Sequence, residues 1–184
     1  MQIAITNDMD EFIALDERTP LHKIPVEIRK FFGSTKYQLQ VLYGALEVYE
    51  LICEKYNLSI YPNKSHIHMS SARSVIHELS TFMKLAHSVH KYNKETNKYY
   101  VEYIKSNPSI KNTRDSLAHY YEIINTTHNT IKINTMKISD GKFHIINKDG
   151  LSYSSIKLDY EIYQNSKRLV ENFYLAIIDT PNRS

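Results

Sequence analysis

A chain of 184 residues with 42% hydrophobic and 23% charged content is long enough for one domain with a sizeable core and carries an ordinary globular share of charge. Four glycines and five prolines argue against long loops and against turn-dense β architecture. The net charge of +3 is compatible with a nucleic-acid partner but excludes histone-like basicity. The single cysteine, Cys53, excludes an intramolecular disulfide and fits a reducing, cytoplasmic setting. Met1 to Asp10 has neither a basic start nor a long apolar run, so it does not read as a signal peptide. No window of about 18 apolar residues is present, so no membrane span is expected. Tyrosine is common at 15 residues and tryptophan absent, which suits interfaces and equally suits buried tyrosines with satisfied hydroxyls.

In chain order, residues 1–24 are open: Met1 to Ile5 fits a short strand, and Asp8 to Ala14 a turn of helix. Pro25 suits the first position of a short helix through Phe32, with Gly33 closing it. Ser34 or Thr35 then caps a helix to about Tyr56, striped by Leu39, Leu42, Leu46, Tyr49 and Cys53, with Gln40, Glu47, Glu50 and Glu54 opposite. Asn57 to Met69 breaks that pattern and reads as either a small hairpin or a long loop. Ser70 or Ser71 caps a second helix, whose inner face is Val75, Ile76, Leu79, Phe82, Met83, Ala86 and Val89. A shorter helix from Thr96 to Lys105 stops at Ser106-Asn107-Pro108.

A central helix follows, from about Ser109 or Asn112 to Asn125. Thr130 to Ile138 then alternates and is β-branched. The turn Ser139-Asp140-Gly141 leads to a second strand, Lys142 to Ile146, and Leu151 to Ile156 adds a third. The last helix, about Lys157 to Ile178, carries Leu158, Ile162, Leu169, Val170, Phe173 and Ile177. The fold class is mainly α: a helical bundle with a small antiparallel β-meander inserted between its last two long helices. One domain is expected over residues 1–184, with 1–33 as an N-terminal extension and 130–156 as the β insertion.

Within the central helix, Asn112 to Glu122 concentrates an arginine, a carboxylate, a histidine and two tyrosines. A guanidinium is charged at any working pH and suits phosphate oxygens, while imidazole exchanges a proton near neutrality. Arg114 and His119 are five residues apart, roughly 140° around a helix and about 7.5 Å along it. They do not share a face. Asp115 and His119 do, and Asp115 can fix the imidazole tautomer. Arg114, near the helix N-terminus, can add its charge to the helix dipole and attract a phosphate. Two copies facing each other across a two-fold axis would bring both arginines and both histidines into one cleft.

The run Arg114-Asp115-Ser116-Leu117-Ala118-His119 resembles the Arg-x4–6-His signature of the HEPN superfamily, in which a polar residue often follows the arginine; Asp115 fills that slot. The resemblance covers six to eight residues, supported by helix order over the final half of the chain. It implies a HEPN-like helical bundle, commonly dimeric, with the motif near the start of a late helix. It further implies a metal-independent endoribonuclease of toxin–antitoxin or antiphage-defence type, with no cofactor. His119 would be the general base, or the acid from the second subunit, and Arg114 would stabilise charge on the phosphorane. Asp115 would orient, and the products would end in 2′,3′-cyclic phosphate. Lys111, Tyr120 and Tyr121 are candidate substrate contacts. Tyr121 also completes Arg-x4-His-x-Tyr, similar to toxins whose tyrosine is nucleotidylated by a partner nucleotidyltransferase. An antitoxin is the other partner implied.

Two other readings compete with catalysis. One is a non-catalytic module on the same scaffold that binds a nucleotide, RNA or a partner protein. The other is an unrelated helical interaction protein, in which Arg114 and Asp115 merely begin a helix and His119 is a core residue. His66 with His68, and His87 with His90, together with Cys53 or His77, match no zinc pattern and read as surface histidines; no metal is expected. Lys105, Lys111, Lys132, Lys137, Lys142 and Lys148 suit either an RNA backbone or the protection of a sheet edge. Tyr99, Tyr100 and Tyr103 are candidates for stacking on bases.

Overall fold

The computed structural model describes residues 26–58, 60–107, 135–139, 142–146 and 152–178. Helix α1 runs without interruption over Val26–Lys55, so the separate short helix expected to close at Gly33 is instead its first two turns. The reason is burial. Ile28, Phe31 and Phe32 are all core residues, each contributing about 1.5–3 kcal/mol, against about 1 kcal/mol for a glycine inside a helix. Thr35 does not cap either. Its Oγ1 donates back to the Phe31 and Phe32 carbonyls at 2.9 and 3.1 Å, a bond that satisfies the hydroxyl within a continuing helix. From there Leu39, Leu42, Leu46 and Tyr49 are buried as their spacing predicts.

The described residues of 57–69 form neither the hairpin nor the long loop. Tyr61 N–H bonds back to the Asn57 carbonyl at 2.8 Å, a 3-10 turn covers Pro62–Lys64, and helix α2 begins at once, over Ser65–Val89. His66-Ile67-His68-Met69 is therefore the first turn of a helix. Two residues apart on a helix, His66 and His68 fall on opposite sides: His66 is exposed, and His68 lies on the stripe that continues through Ala72 and Val75. The predicted inner face of α2, from Val75 to Val89, is buried throughout. Gln38 Nε2 ties α1 to α2 by donating to the Glu78 carbonyl at 3.0 Å and to its Oε2 at 2.8 Å.

Helix α3, Lys94–Ser106, starts two residues before the expected Thr96 because Asn93 and Thr96 form a reciprocal cap. Thr96 N–H donates to Asn93 Oδ1 at 2.8 Å, and Asn93 N–H to Thr96 Oγ1 at 3.0 Å. Three strands follow in sequence, β1 over Thr135–Ser139, β2 over Lys142–Ile146 and β3 over Ser152–Lys157. They form an antiparallel sheet in the order β1-β2-β3. Ile138 faces Phe143, and Phe143 faces Ile156, so the three lie side by side and join the core. Asp159 Oδ1 accepts from Glu161 N–H at 3.1 Å, and the last helix, α4, runs over Tyr160–Ile178.

The described chain is thus mainly helical with a small antiparallel sheet. Helix α4 lies against both α1 and α3. Phe173 meets Phe31 at 6.1 Å between ring centroids, and Tyr174 meets Phe32 at 5.3 Å. Toward α3, Ser166 Oγ donates to the Ile162 carbonyl at 2.8 Å, so its one proton is spent. Tyr103 therefore donates its own to Ser166 Oγ, at 2.9 Å. Burial pushes the Tyr103 phenol up to about 12. A phenol raised in the folded state contributes stability that is whole below its unfolded value, near 10, and is lost as pH rises toward 12. Denaturant unfolding followed across that window should show a loss of about 2–3 kcal/mol from this group. Tyr103→Phe, costing about 1 kcal/mol at neutral pH, should lessen the alkaline loss.

Candidate functional site

Lys111, Arg114, Asp115, His119, Tyr120 and Tyr121 all lie outside the described residues, as do Lys132 and Lys148. The described chain fixes where that segment departs. Helix α3 ends on Asn107, whose N–H reaches the Tyr103 and Ile104 carbonyls at 3.1 and 3.3 Å and whose Nδ2 donates to the Tyr103 carbonyl at 2.9 Å. These bonds satisfy the last carbonyls of the helix. They hold the chain firmly at the point from which Pro108 continues.

Beside that point lies an open cleft of about 200 Å³ between the last turns of α3 and the middle of α4. Helix α3 supplies Tyr99 and Glu102, and its C-cap supplies Asn107. Helix α4 supplies Asn165, Arg168 and Asn172, which the 3.6-residue repeat places on one row. Below them, Tyr103 and Leu169 form the floor. The row combines a guanidinium, which suits phosphate or carboxylate, with two amides that can both donate and accept. Among the described residues, no hydrogen bond or ion pair engages the Arg168 guanidinium or the Asn165 and Asn172 amides. The volume is below the roughly 300–1,000 Å³ of small-molecule sites, so the cleft suits one unit of a longer ligand. The apolar stripe of the last helix concealed this row: Asn165, Arg168 and Asn172 sit on its flank, at the steps of three and four that would have revealed them.

Of the three tyrosines expected to stack on bases, Tyr103 is corrected. It is buried and bonded to Ser166, so its ring faces the core. Tyr100 is half-buried against the His87 and His90 rings, at 5.6 and 5.0 Å. Tyr99 alone of the three lies at the cleft rim, with the Lys98 ammonium 5.7 Å from its ring centre.

The surface reading of the histidines also changes. His68 is only 3% exposed. Its Nε2 lies 2.6 Å from the Tyr56 carbonyl, which can only accept, so Nε2 carries the proton. Nδ1 is then the acceptor facing Cys53 Sγ at 3.5 Å, and the thiol keeps its hydrogen. Burial pushes the Cys53 thiol up, with the Tyr49 hydroxyl pulling it down in part and Glu50 adding to the rise. This is the opposite of an activated nucleophile. His90 is buried as well, its ring stacked on that of His87 at 4.3 Å, and its Nδ1 donates to the His87 carbonyl. His66 and His77 are exposed. Among the described residues, no three His, Cys, Asp or Glu side chains group closely enough to hold a metal, and no helix is long and apolar enough to cross a membrane.

Comparison of the chain with protein-family models, with curated proteins and with solved structures gives no match.

The Cys53 geometry has a direct chemical consequence. At neutral pH the folded protein should react with a disulfide reagent several-fold more slowly than the same chain unfolded in denaturant. His68→Ala, which leaves the Tyr56 carbonyl unmatched and opens a cavity, should lower stability by about 1–3 kcal/mol and speed the reaction. Thiol release followed by absorbance, beside a denaturant titration, reads both.

Proposed function

We propose that the chain is a HEPN-like, metal-independent endoribonuclease of toxin or antiphage-defence type, acting in the cytoplasm as a homodimer whose two motifs face each other. The observation that carries this reading is Arg114-x4-His119 with Asp115 behind the arginine. It unites a permanent cation, a proton-transfer group and a carboxylate to orient it. The cleft beside Asn107 supports it. Arg114 follows Asn107 by seven residues, a length of chain that spans at most about 25 Å. An RNA strand cleaved at the motif can therefore also reach Arg168, Asn172 and the Tyr99 ring.

In the proposed reaction, His119 takes the proton from an RNA 2′-hydroxyl as that oxygen attacks the adjacent phosphorus. The bond from phosphorus to the 5′-oxygen breaks, and the departing oxygen takes a proton from the partner subunit's His119. Arg114 holds the charge on the phosphorane oxygens. No water is consumed, and the products are a 2′,3′-cyclic phosphate and a 5′-hydroxyl. Asp115 holds the imidazole tautomer. Lys111, Tyr120 and Tyr121 contact the strand, and Tyr121 is the position a partner nucleotidyltransferase would modify.

Purified protein should cut RNA in EDTA with a bell-shaped pH profile. Arg114→Ala and His119→Ala should each lower the rate by about 100-fold or more with unchanged circular dichroism. Growth arrest on expression should be relieved by both. If both variants cut as wild type does, the motif is not the active site. If the wild type binds RNA or nucleotide without cutting, the non-catalytic reading replaces this one.

The cleft gives a separate expectation. Arg168→Ala should raise KM for RNA without a matching change in kcat, and should reduce the slope of log affinity against log salt by about 1. Fluorescence anisotropy with a labelled strand, at several salt concentrations, measures this.

A further inference from the structure

The face of α1 turned away from the core is not the polar surface that a solvated helix would show. Tyr37 is 67% exposed, Val48 52% and Leu51 62%; with the half-buried Val41 and with Gly44 they recur at steps of four, three, four and three. That spacing draws one stripe along the helix, the seam pattern of paired helices. The stripe is also symmetric about Gly44. Tyr37 and Leu51 lie seven residues to either side of it, and Val41 and Val48 lie three before and four after. Nothing inside the chain calls for a glycine there, because a Cβ built on Gly44 meets nothing within 4 Å among the described residues.

Charge is antisymmetric about the same point. In the first half of α1, Arg29, Lys30 and Lys36 outweigh Glu27. In the second half, Glu47, Glu50 and Glu54 outweigh Lys55, whose ammonium sits 5.3 Å from the Tyr56 ring centre. A second α1 laid parallel would set like charge on like. Laid antiparallel about Gly44, it sets Lys36, the basic residue of the first half that overlaps the second copy, beside the acidic half.

We infer that the outer face of α1 is a self-association surface, on which a second copy of this chain packs its own α1 antiparallel about a two-fold axis at Gly44. The axis places Tyr37 against the second copy's Leu51 and Val41 against its Val48, and lets the two helices approach closely where Gly44 meets its counterpart. Lys36 and Glu54 point to the same flank of the helix, about 80° from Gly44, and their heights above and below the axis differ by only about 3 Å. Each Lys36 thereby sits beside a Glu54 of the other copy. A helix of 30 residues is about 45 Å long. About an axis at Gly44 only residues 33–55 overlap the second copy, about 34 Å of helix. A strip of that length and about 10 Å wide buries about 700 Å² over both copies, less than the roughly 1,200–2,000 Å² of stable complexes. The pair is accordingly concentration-dependent. This inference stands on α1 alone and does not rest on the ribonuclease reading.

Sedimentation equilibrium of the full chain over a wide concentration range should show a monomer–dimer equilibrium. Leu51→Glu should weaken it by at least about 100-fold. Gly44→Leu, whose Cβ meets nothing within 4 Å among the described residues and which favours the helix, should weaken it while leaving thermal stability of the dilute chain unchanged or higher. Lys36→Glu and Glu54→Lys should each weaken association by about 2–30-fold, and the two combined should restore it. A chain that stays monomeric throughout overturns the inference, as does a dimer indifferent to Leu51→Glu and Gly44→Leu. A dimer that both substitutions weaken but the combined charge reversal does not rescue overturns the antiparallel arrangement. A chain monomeric throughout would also remove the homodimer of the proposed function, whereas a dimer indifferent to Leu51→Glu and Gly44→Leu overturns the α1 surface alone, and a dimer that cuts no RNA overturns the ribonuclease reading alone.

Discussion

The contact of Phe31 and Phe32 with Phe173 and Tyr174 is the constraint on which the rest of the described structure depends. It joins the first described helix to the last, across more than a hundred intervening residues. Closing so long a stretch costs little more than closing one half as long, because the entropy grows only with the logarithm of length. The four rings, once desolvated, offset that cost several times over. With α4 held against α1, the row of Ile162, Leu169 and Val170 completes the core, and the Tyr103 hydroxyl finds its acceptor on Ser166. The ends of residues 108–134 are tied to this frame, at Asn107 on one side and at Thr135 on the other.

How much of this was legible depends on which force dominates locally. The inner faces of α1 and α2 and the three strands follow from apolar periodicity alone, because each is an amphipathic element with one face buried. Boundaries failed wherever a local signal competed with burial. Gly33, Ser34 and Thr35 together read as a helix end followed by a cap, yet Ile28, Phe31 and Phe32 bury more than the glycine costs. The alternation of His66 and His68 read as a strand. What decides there is that His68 is four residues before Ala72 and seven before Val75, a continuation of the inner stripe that the histidine side chain obscured.

The polar features were less legible, for a physical reason. Apolar burial leaves a periodic trace, whereas a polar group is informative only through its partner. Nothing in the sequence near Cys53 announces that its thiol faces His68 Nδ1, or that the Tyr56 carbonyl fixes the tautomer. The cleft between α3 and α4 is built from two rows that are unremarkable singly and become a site only when the helices meet. For Arg114 and His119 the situation is reversed. Their chemistry is plain from residue type and spacing, and their placement lies outside the described residues.

Helix α1 also shows how one element can carry two unrelated patterns. Its inner stripe, Leu39, Leu42, Leu46 and Tyr49, fully accounts for its packing in the monomer. Gly44 adds nothing to that packing and costs about 1 kcal/mol relative to alanine in a helix interior. Single apolar residues on a surface call for no explanation. A tyrosine, two valines and a leucine set on either side of a glycine, with charge reversing sign at the same residue, are a different matter. Each feature taken separately is a small cost or a neutral choice for an isolated chain. They become mutually consistent only if the helix meets its own image, because a two-fold axis is the one arrangement that requires the sequence on either side of a point to match in shape and oppose in charge.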